Sequence, residues 1–87
     1  MAPETLFLLN SVTAIDLIER ATKEGAKLAG VEGFLITTAG AYEPRQDFSN
    51  DIASWQGSVA EFVDSTREMI ARGAKAGIRF QVVFEEE

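Results

Sequence analysis

The chain has 87 residues, of which 46 % are hydrophobic and 25 % are charged, a composition typical of one small globular domain. It contains no cysteine and no histidine, which excludes a disulfide scaffold, a thiolate metal site, a cysteine nucleophile and a Ser-His-Asp triad. Half of the formal net charge of −6 comes from the glutamates at 85–87, so the rest of the chain is nearly balanced and lacks the cationic surface that nucleic-acid binding requires.

The N-terminal sequence predicts neither a signal peptide nor a membrane span. It has no basic segment, and its apolar run covers only residues 6–9. We therefore expect a cytoplasmic protein that does not associate with membranes, folded as a single small domain over residues 1–87 with an acidic tail at 85–87.

The first elements are predicted to be a strand and a helix. Residues 5–10 include a run of apolar residues without alternation, which is typical of a strand buried on both faces. Thr13 and Asp16 have the spacing of an N-cap, and small or apolar residues then recur at helical intervals. This pattern predicts a helix over about 14–28, with Gly25 in its buried seam.

A second strand is predicted to follow this helix. Gly30 has the position of a helix stop. Phe34 and Ile36 alternate with Leu35, so a strand is expected over 33–38, with the first two side chains on one face and the third on the other.

The pattern weakens from residue 39 to residue 57. Residues 41–48 are compatible with a further strand, but Pro44 argues against a central position because it cannot donate a ladder hydrogen bond. Three alternative N-caps at 49–51 predict a short helical turn before the second main helix.

The C-terminal third has the clearest pattern. Ser58 and Glu61 form the capping box S-x-x-E, and apolar residues then recur at steps of three and four. We expect this helix to end at Gly73. Alternation over 78–84 predicts a closing strand with one face toward the core.

The unit at 58–84, with the size and acidity of the chain, is similar to small acidic inhibitor proteins of the barstar type. The similarity lies in a helix, a glycine-containing link and a closing strand. It does not extend to the first half of the chain, and it carries over no functional residue.

The order of elements predicts an α/β fold, a two-layer sandwich with a three- or four-stranded sheet and two main helices on one face, βαβ(β)αβ. Two topologies stay open. In the first, three parallel strands are joined by right-handed crossovers. The second is a ferredoxin-like βαββαβ sandwich that uses 41–48 as an additional strand. The alternation at 78–84 favours a sheet covered on one face.

The 39–51 loop is the irregular stretch richest in polar groups, and loops of this kind often hold binding residues. A surface connection is the alternative. Asp47, Asn50 and Asp51 lack the pattern of a calcium loop, so helix capping explains them better, and no metal or cofactor is predicted. The candidate ligand-binding residues are Tyr42, Arg45 and Asp47.

The sheet face opposite the helices is the second candidate site. An apolar strip rimmed by polar side chains would be exposed there, and such a patch marks a partner surface. Trp55 is in phase with the stripe of the second helix, so core packing is the first interpretation and an interface anchor is the alternative. The candidate interface residues are Leu6, Leu8, Leu35, Arg79, Gln81, Val83 and Trp55.

No catalytic constellation is recognisable, so an enzyme is not the first expectation. The leading hypothesis is a soluble, acidic protein-interaction module that forms a homodimer through the open sheet face, an inhibitor, immunity-type or accessory protein. The alternative is a small-molecule-binding or enzymatic domain built on the 39–51 loop. A third hypothesis, an acidic mimic of nucleic acid, requires the glutamate tail.

Overall fold

The computed structural model of the chain describes residues 8–85. Two helices and three strands form an α/β arrangement that has the predicted form of a two-layer sandwich. A 3₁₀ turn, Ile52–Ser54, precedes the second helix. The main elements, in chain order, are α1 (Ser11–Lys23), β1 (Leu28–Ile36), β2 (Tyr42–Asp51), α2 (Val59–Lys75) and β3 (Ile78–Phe84).

The strands pair antiparallel in the order β2-β1-β3. The alternative with three parallel strands is therefore wrong, and the additional strand predicted within 41–48 is present. Because β2 and β3 are parallel with β1 between them, α2 connects them as a split βαβ unit. In this sheet β2 is an edge strand, the position that Pro44 requires.

The strand predicted at 5–10 lies mostly outside the described residues. Leu9 forms a single antiparallel bridge with Phe80, with backbone hydrogen bonds of 2.7 and 2.8 Å in the two directions. Leu9 therefore lies beside β3, and the chain then turns into α1.

Helix α1 begins and ends earlier than predicted. Asn10 is its N-cap, since the side-chain oxygen accepts a hydrogen bond of 2.8 Å from the Thr13 amide, so Thr13 lies inside the helix. The helix ends before Glu24, and Gly25 has a positive φ of 99°, a conformation that favours glycine. The prediction that Gly25 belongs to the seam is wrong, and Leu28 opens β1 instead.

Gly30 lies within β1 and does not end α1. A Cβ atom added to it would lie 2.9 Å from the carbonyl oxygen of Asn50, and one added to Gly33 would lie 2.6 Å from the carbonyl oxygen of Phe48. The two glycines therefore let the backbone of β2 pass close to β1.

Helix α2 starts with the predicted capping box. Ser58 Oγ accepts a hydrogen bond of 3.1 Å from the Glu61 amide, and Glu61 Oε1 accepts one of 3.0 Å from the Ser58 amide. Gly73 does not end the helix, which continues for two more residues. A Cβ atom added to Gly73 would lie 2.5 Å from Phe80 Cζ, so this glycine permits close packing of α2 on β3.

The hydrophobic core lies between the sheet and the two helices. Phe62, Ile70 and Phe80 are fully buried in it. Trp55 packs at its border, with its ring edge-on to Phe62 at 5.6 Å between centroids, and its Nε1 donates a hydrogen bond of 3.0 Å to the Ser58 carbonyl oxygen. Within residues 8–85, neither helix is long and apolar enough to cross a membrane.

Candidate functional site

The sheet has a second face, turned away from the core, which we call the open face. Residues paired directly across antiparallel strands project from the same face. Leu35 and Ile78 are paired and pack with the core, so the residues that alternate with them project from the opposite side. The open face consists of Glu32, Phe34, Ile36, Tyr42, Pro44, Arg79, Gln81 and Val83.

The centre of the open face is apolar and well filled. Phe34 is paired with Pro44 on one side and Arg79 on the other, and only 7 % of it is exposed although it is separate from the core cluster on the helix side. Ile36 and Tyr42 form the next pair, with 43 % and 51 % exposure. Ile36 and Tyr42 are therefore open to solvent, whereas Phe34 is already buried.

Charged and polar side chains border this apolar centre. Glu32 is paired with Gln81, one step along the face from the pair of Phe34 and Arg79. Among residues 8–85, neither Glu32 nor Arg79 forms an ion pair. The open face therefore has one acid and one base available for contacts with another molecule.

The structure brings together three of the predicted interface residues, Arg79, Gln81 and Val83, on the open face. The assignment of Leu35 to this face is wrong, because Leu35 pairs with Ile78 and packs on the core. Phe34 takes its place. The alternation of Phe34 and Ile36 carried that signal, but the sequence did not show which of the two faces of the strand meets the helices.

The other predicted interface residues are Leu6, Leu8 and Trp55. Leu8 is half-buried at the start of the described chain, and Leu6 lies outside the described residues. Trp55 contacts the core, as its periodicity indicates, and its alternative role as an interface anchor stays a prediction.

Strands β1 and β2 separate beside the open face. Gly33 pairs with Arg45, but Val31 pairs with Asn50, so β2 contains a bulge of several residues opposite Glu32. Ser49 closes it. Its hydroxyl accepts a hydrogen bond of 3.2 Å from the Gly33 amide and donates one of 2.8 Å to the Arg45 carbonyl oxygen.

A shallow groove of about 690 Å³ lies at this bulge. Its lining includes Gly30 and the charged residues Glu32, Arg45 and Asp51. Of the three predicted ligand-binding residues, Arg45 lines the groove, whereas Tyr42 belongs to the open face. Asp47 lies outside the lining and pairs with Arg45, with 3.5 Å between Asp47 Oδ1 and Arg45 Nε.

Asp51 has a capping role, as the sequence favoured. Its carboxylate accepts a hydrogen bond of 3.0 Å from the Ala53 amide and begins the 3₁₀ turn. No group of three or more acidic, histidine or cysteine side chains within the described part of the chain is placed to hold a metal ion.

A second hollow, of about 350 Å³, lies between the helices. Arg67 is one of the residues that line it, and it pairs with Glu19 of α1 at 2.7 Å and with Asp64 of its own helix at 3.3 Å. Because the pair of Arg67 with Glu19 joins α1 to α2, we interpret this hollow as a structural contact.

No protein-family model matches the chain, and no curated protein matches it. The functional argument therefore starts from the open face and the groove.

Proposed function

We propose that this protein is an interaction module that self-associates through the open face. The observation that supports the proposal is the exposure of Ile36, Tyr42 and Val83 around a filled centre, on a sheet face that no described element covers. Exposed apolar groups of this kind, rimmed by polar residues, mark partner surfaces. A domain of this size also gains buried apolar area by pairing.

The dimensions of the open face indicate a weak dimer. Three strands about 4.8 Å apart, of which the shortest has seven residues at about 3.3 Å each, share a face of about 14 by 23 Å. This planar area is smaller than the roughly 800 Å² that each partner buries in a stable complex. We therefore expect a dimer that dissociates in the micromolar range, a property suited to an inhibitor or accessory protein that exchanges partners.

The test is the oligomeric state measured by sedimentation velocity from about 5 to 500 μM, a range that brackets weak association. The wild type should shift from monomer to dimer. Ile36→Glu should remain monomeric, because it introduces a charge beside the apolar centre. Val12→Glu is the matched control, since it also replaces an exposed β-branched side chain by glutamate. Val12 is 79 % exposed and lies on α1, away from the sheet.

Circular dichroism must show that both variants are folded. A wild type that stays monomeric up to the highest concentration would overturn the proposal. Equal weakening by Val12→Glu and Ile36→Glu would also overturn it, because the effect would then follow from added charge and would not depend on the open face.

The groove supports a second candidate function, the binding of a small molecule. Its lining combines the basic residue Arg45 with the acidic residues Glu32 and Asp51, which suits a ligand carrying both charges, such as a free amino acid. Titration with glycine, followed by NMR, should then shift the amide signals of Gly30 and Ser49. Unchanged signals at 10 mM glycine, about the weakest useful affinity, would exclude this class of ligand.

A further inference from the structure

We infer that the second copy docks on the open face about a twofold axis that sets Glu32 of each protomer against Arg79 of the other. The inference rests on the proposed function, since it specifies the partner and the geometry of the same surface.

The positions of the two charges on the sheet carry the inference. Glu32 is paired with Gln81 and Phe34 with Arg79, so the acid and the base occupy opposite corners of a four-residue rectangle. With strands about 4.8 Å apart and about 6.8 Å between alternate residues, their Cα atoms are about 8 Å apart. Neither forms an ion pair among the described residues, so both charges are available to a second molecule.

A twofold axis turns this diagonal into two intermolecular pairs. In an isologous interface, residue i contacts residue j and residue j contacts residue i. Such an axis lies in the plane between the two facing sheets and crosses the line from Glu32 to Arg79 at its midpoint, at a right angle. It places each acid opposite the base of the partner protomer. The same operation brings the Phe34 positions of the two protomers to within about 3 Å laterally, with steeply crossed strands as in orthogonal sheet packing.

Charge complementarity favours a second copy over an unrelated protein. A uniformly acidic or basic partner would face one like charge on this surface, and juxtaposed like charges are unfavourable. A second copy satisfies both charges at once. Ion pairs of this kind fix orientation more than they add affinity, while the exposed side chains of Ile36, Tyr42 and Val83 provide the contact area.

Charge reversal tests the arrangement. Glu32→Arg should weaken its own dimer by at least about tenfold, because each Arg79 then faces an arginine, and Arg79→Glu should do the same by bringing two acids together. An equimolar mixture of the two variants should restore dimerisation to within about threefold of the wild type, since both contacts in the mixed dimer join opposite charges.

Glu24→Arg is the control for net charge. It changes the formal charge by the same amount as Glu32→Arg, but Glu24 is exposed at the end of α1. Sedimentation velocity of each variant and of the mixture gives the dissociation constants. A mixture that stays as weak as the single variants would overturn the inference, as would a Glu24→Arg variant weakened to the same extent.

The outcomes separate this inference from the proposed function. If dimerisation is not restored in the mixture, but the wild type dimerises and the Ile36→Glu variant does not, the open face self-associates in another orientation. The pairing of Glu32 with Arg79 is then wrong. If Ile36→Glu has no effect, the proposed function and the inference both fail.

Discussion

At the scale of single residues, Ser49 is the side chain on which the junction of β1 and β2 depends. Its hydroxyl stands between the Gly33 amide and the Arg45 carbonyl group, where the bulge separates the two backbones. Ser49→Ala should lower the free energy of unfolding by about 1–3 kcal/mol, because both backbone groups lose their partner in a half-buried position. Urea denaturation measures this change.

Ser54→Ala is the control for that substitution. Ser54 is exposed in the 3₁₀ turn, so its loss should change the free energy of unfolding by less than about 0.5 kcal/mol. If the two alanine variants are equally stable, the bridge formed by Ser49 contributes nothing measurable.

Glycines show which single residues the sequence could not assign. Gly30 was predicted to end α1 and Gly25 to lie within it, but of the two only Gly25 has a positive φ. Gly73 likewise follows a cationic last turn, but it is buried against Phe80. A glycine can either form a turn with a positive φ or allow another element to pack closely on its backbone. Which of the two occurs depends on residues distant in the chain.

At the scale of elements, the start of α2 could be predicted because its capping groups are local. Ser58→Ala should lower the free energy of unfolding by about 1 kcal/mol, since the Glu61 amide loses its acceptor. For a domain of this size that is a fall in Tm of about 4–8 °C. Ser58→Asp keeps a side-chain acceptor at the helix N-terminus and should retain the wild-type Tm; calorimetry of both variants checks the pair.

An Ala variant that melts with the wild type would show that the capping box is dispensable. A fall in Tm for both variants would point to the Ser58 hydroxyl itself, or to packing at this position, and not to capping.

The bounds of α1 were harder to predict than those of α2. Asn10 and Thr13 are both chemically suitable caps, and the tertiary structure selects the first, with the Ser11 hydroxyl donating a hydrogen bond of 3.0 Å to the Ile70 carbonyl oxygen. The same holds for ion pairs. Lys23 is four residues after Glu19, a spacing that allows a pair within α1, but Glu19 contacts Arg67 of α2.

At the scale of the whole molecule, the sequence predicted two layers and a one-sided sheet, but it left the strand pairing open. The alternation of β3 was sufficient to assign Phe80 and Arg79 to opposite faces. Neither the antiparallel order nor the choice between Phe34 and Leu35 follows from one strand's pattern, because both depend on which strands become neighbours. The open face was therefore predictable as a surface, but only part of its membership was.

The placement of Trp55 has a consequence for optical measurements. It is the only tryptophan of the chain, and its indole contacts Phe62 and the Ser58 carbonyl group on the helix side of the sheet. Its fluorescence emission should therefore follow loss of the core and the start of α2, but not docking on the open face. The protein thus contains its own spectroscopic reporter of folding, and we expect docking on the open face to leave that signal unchanged.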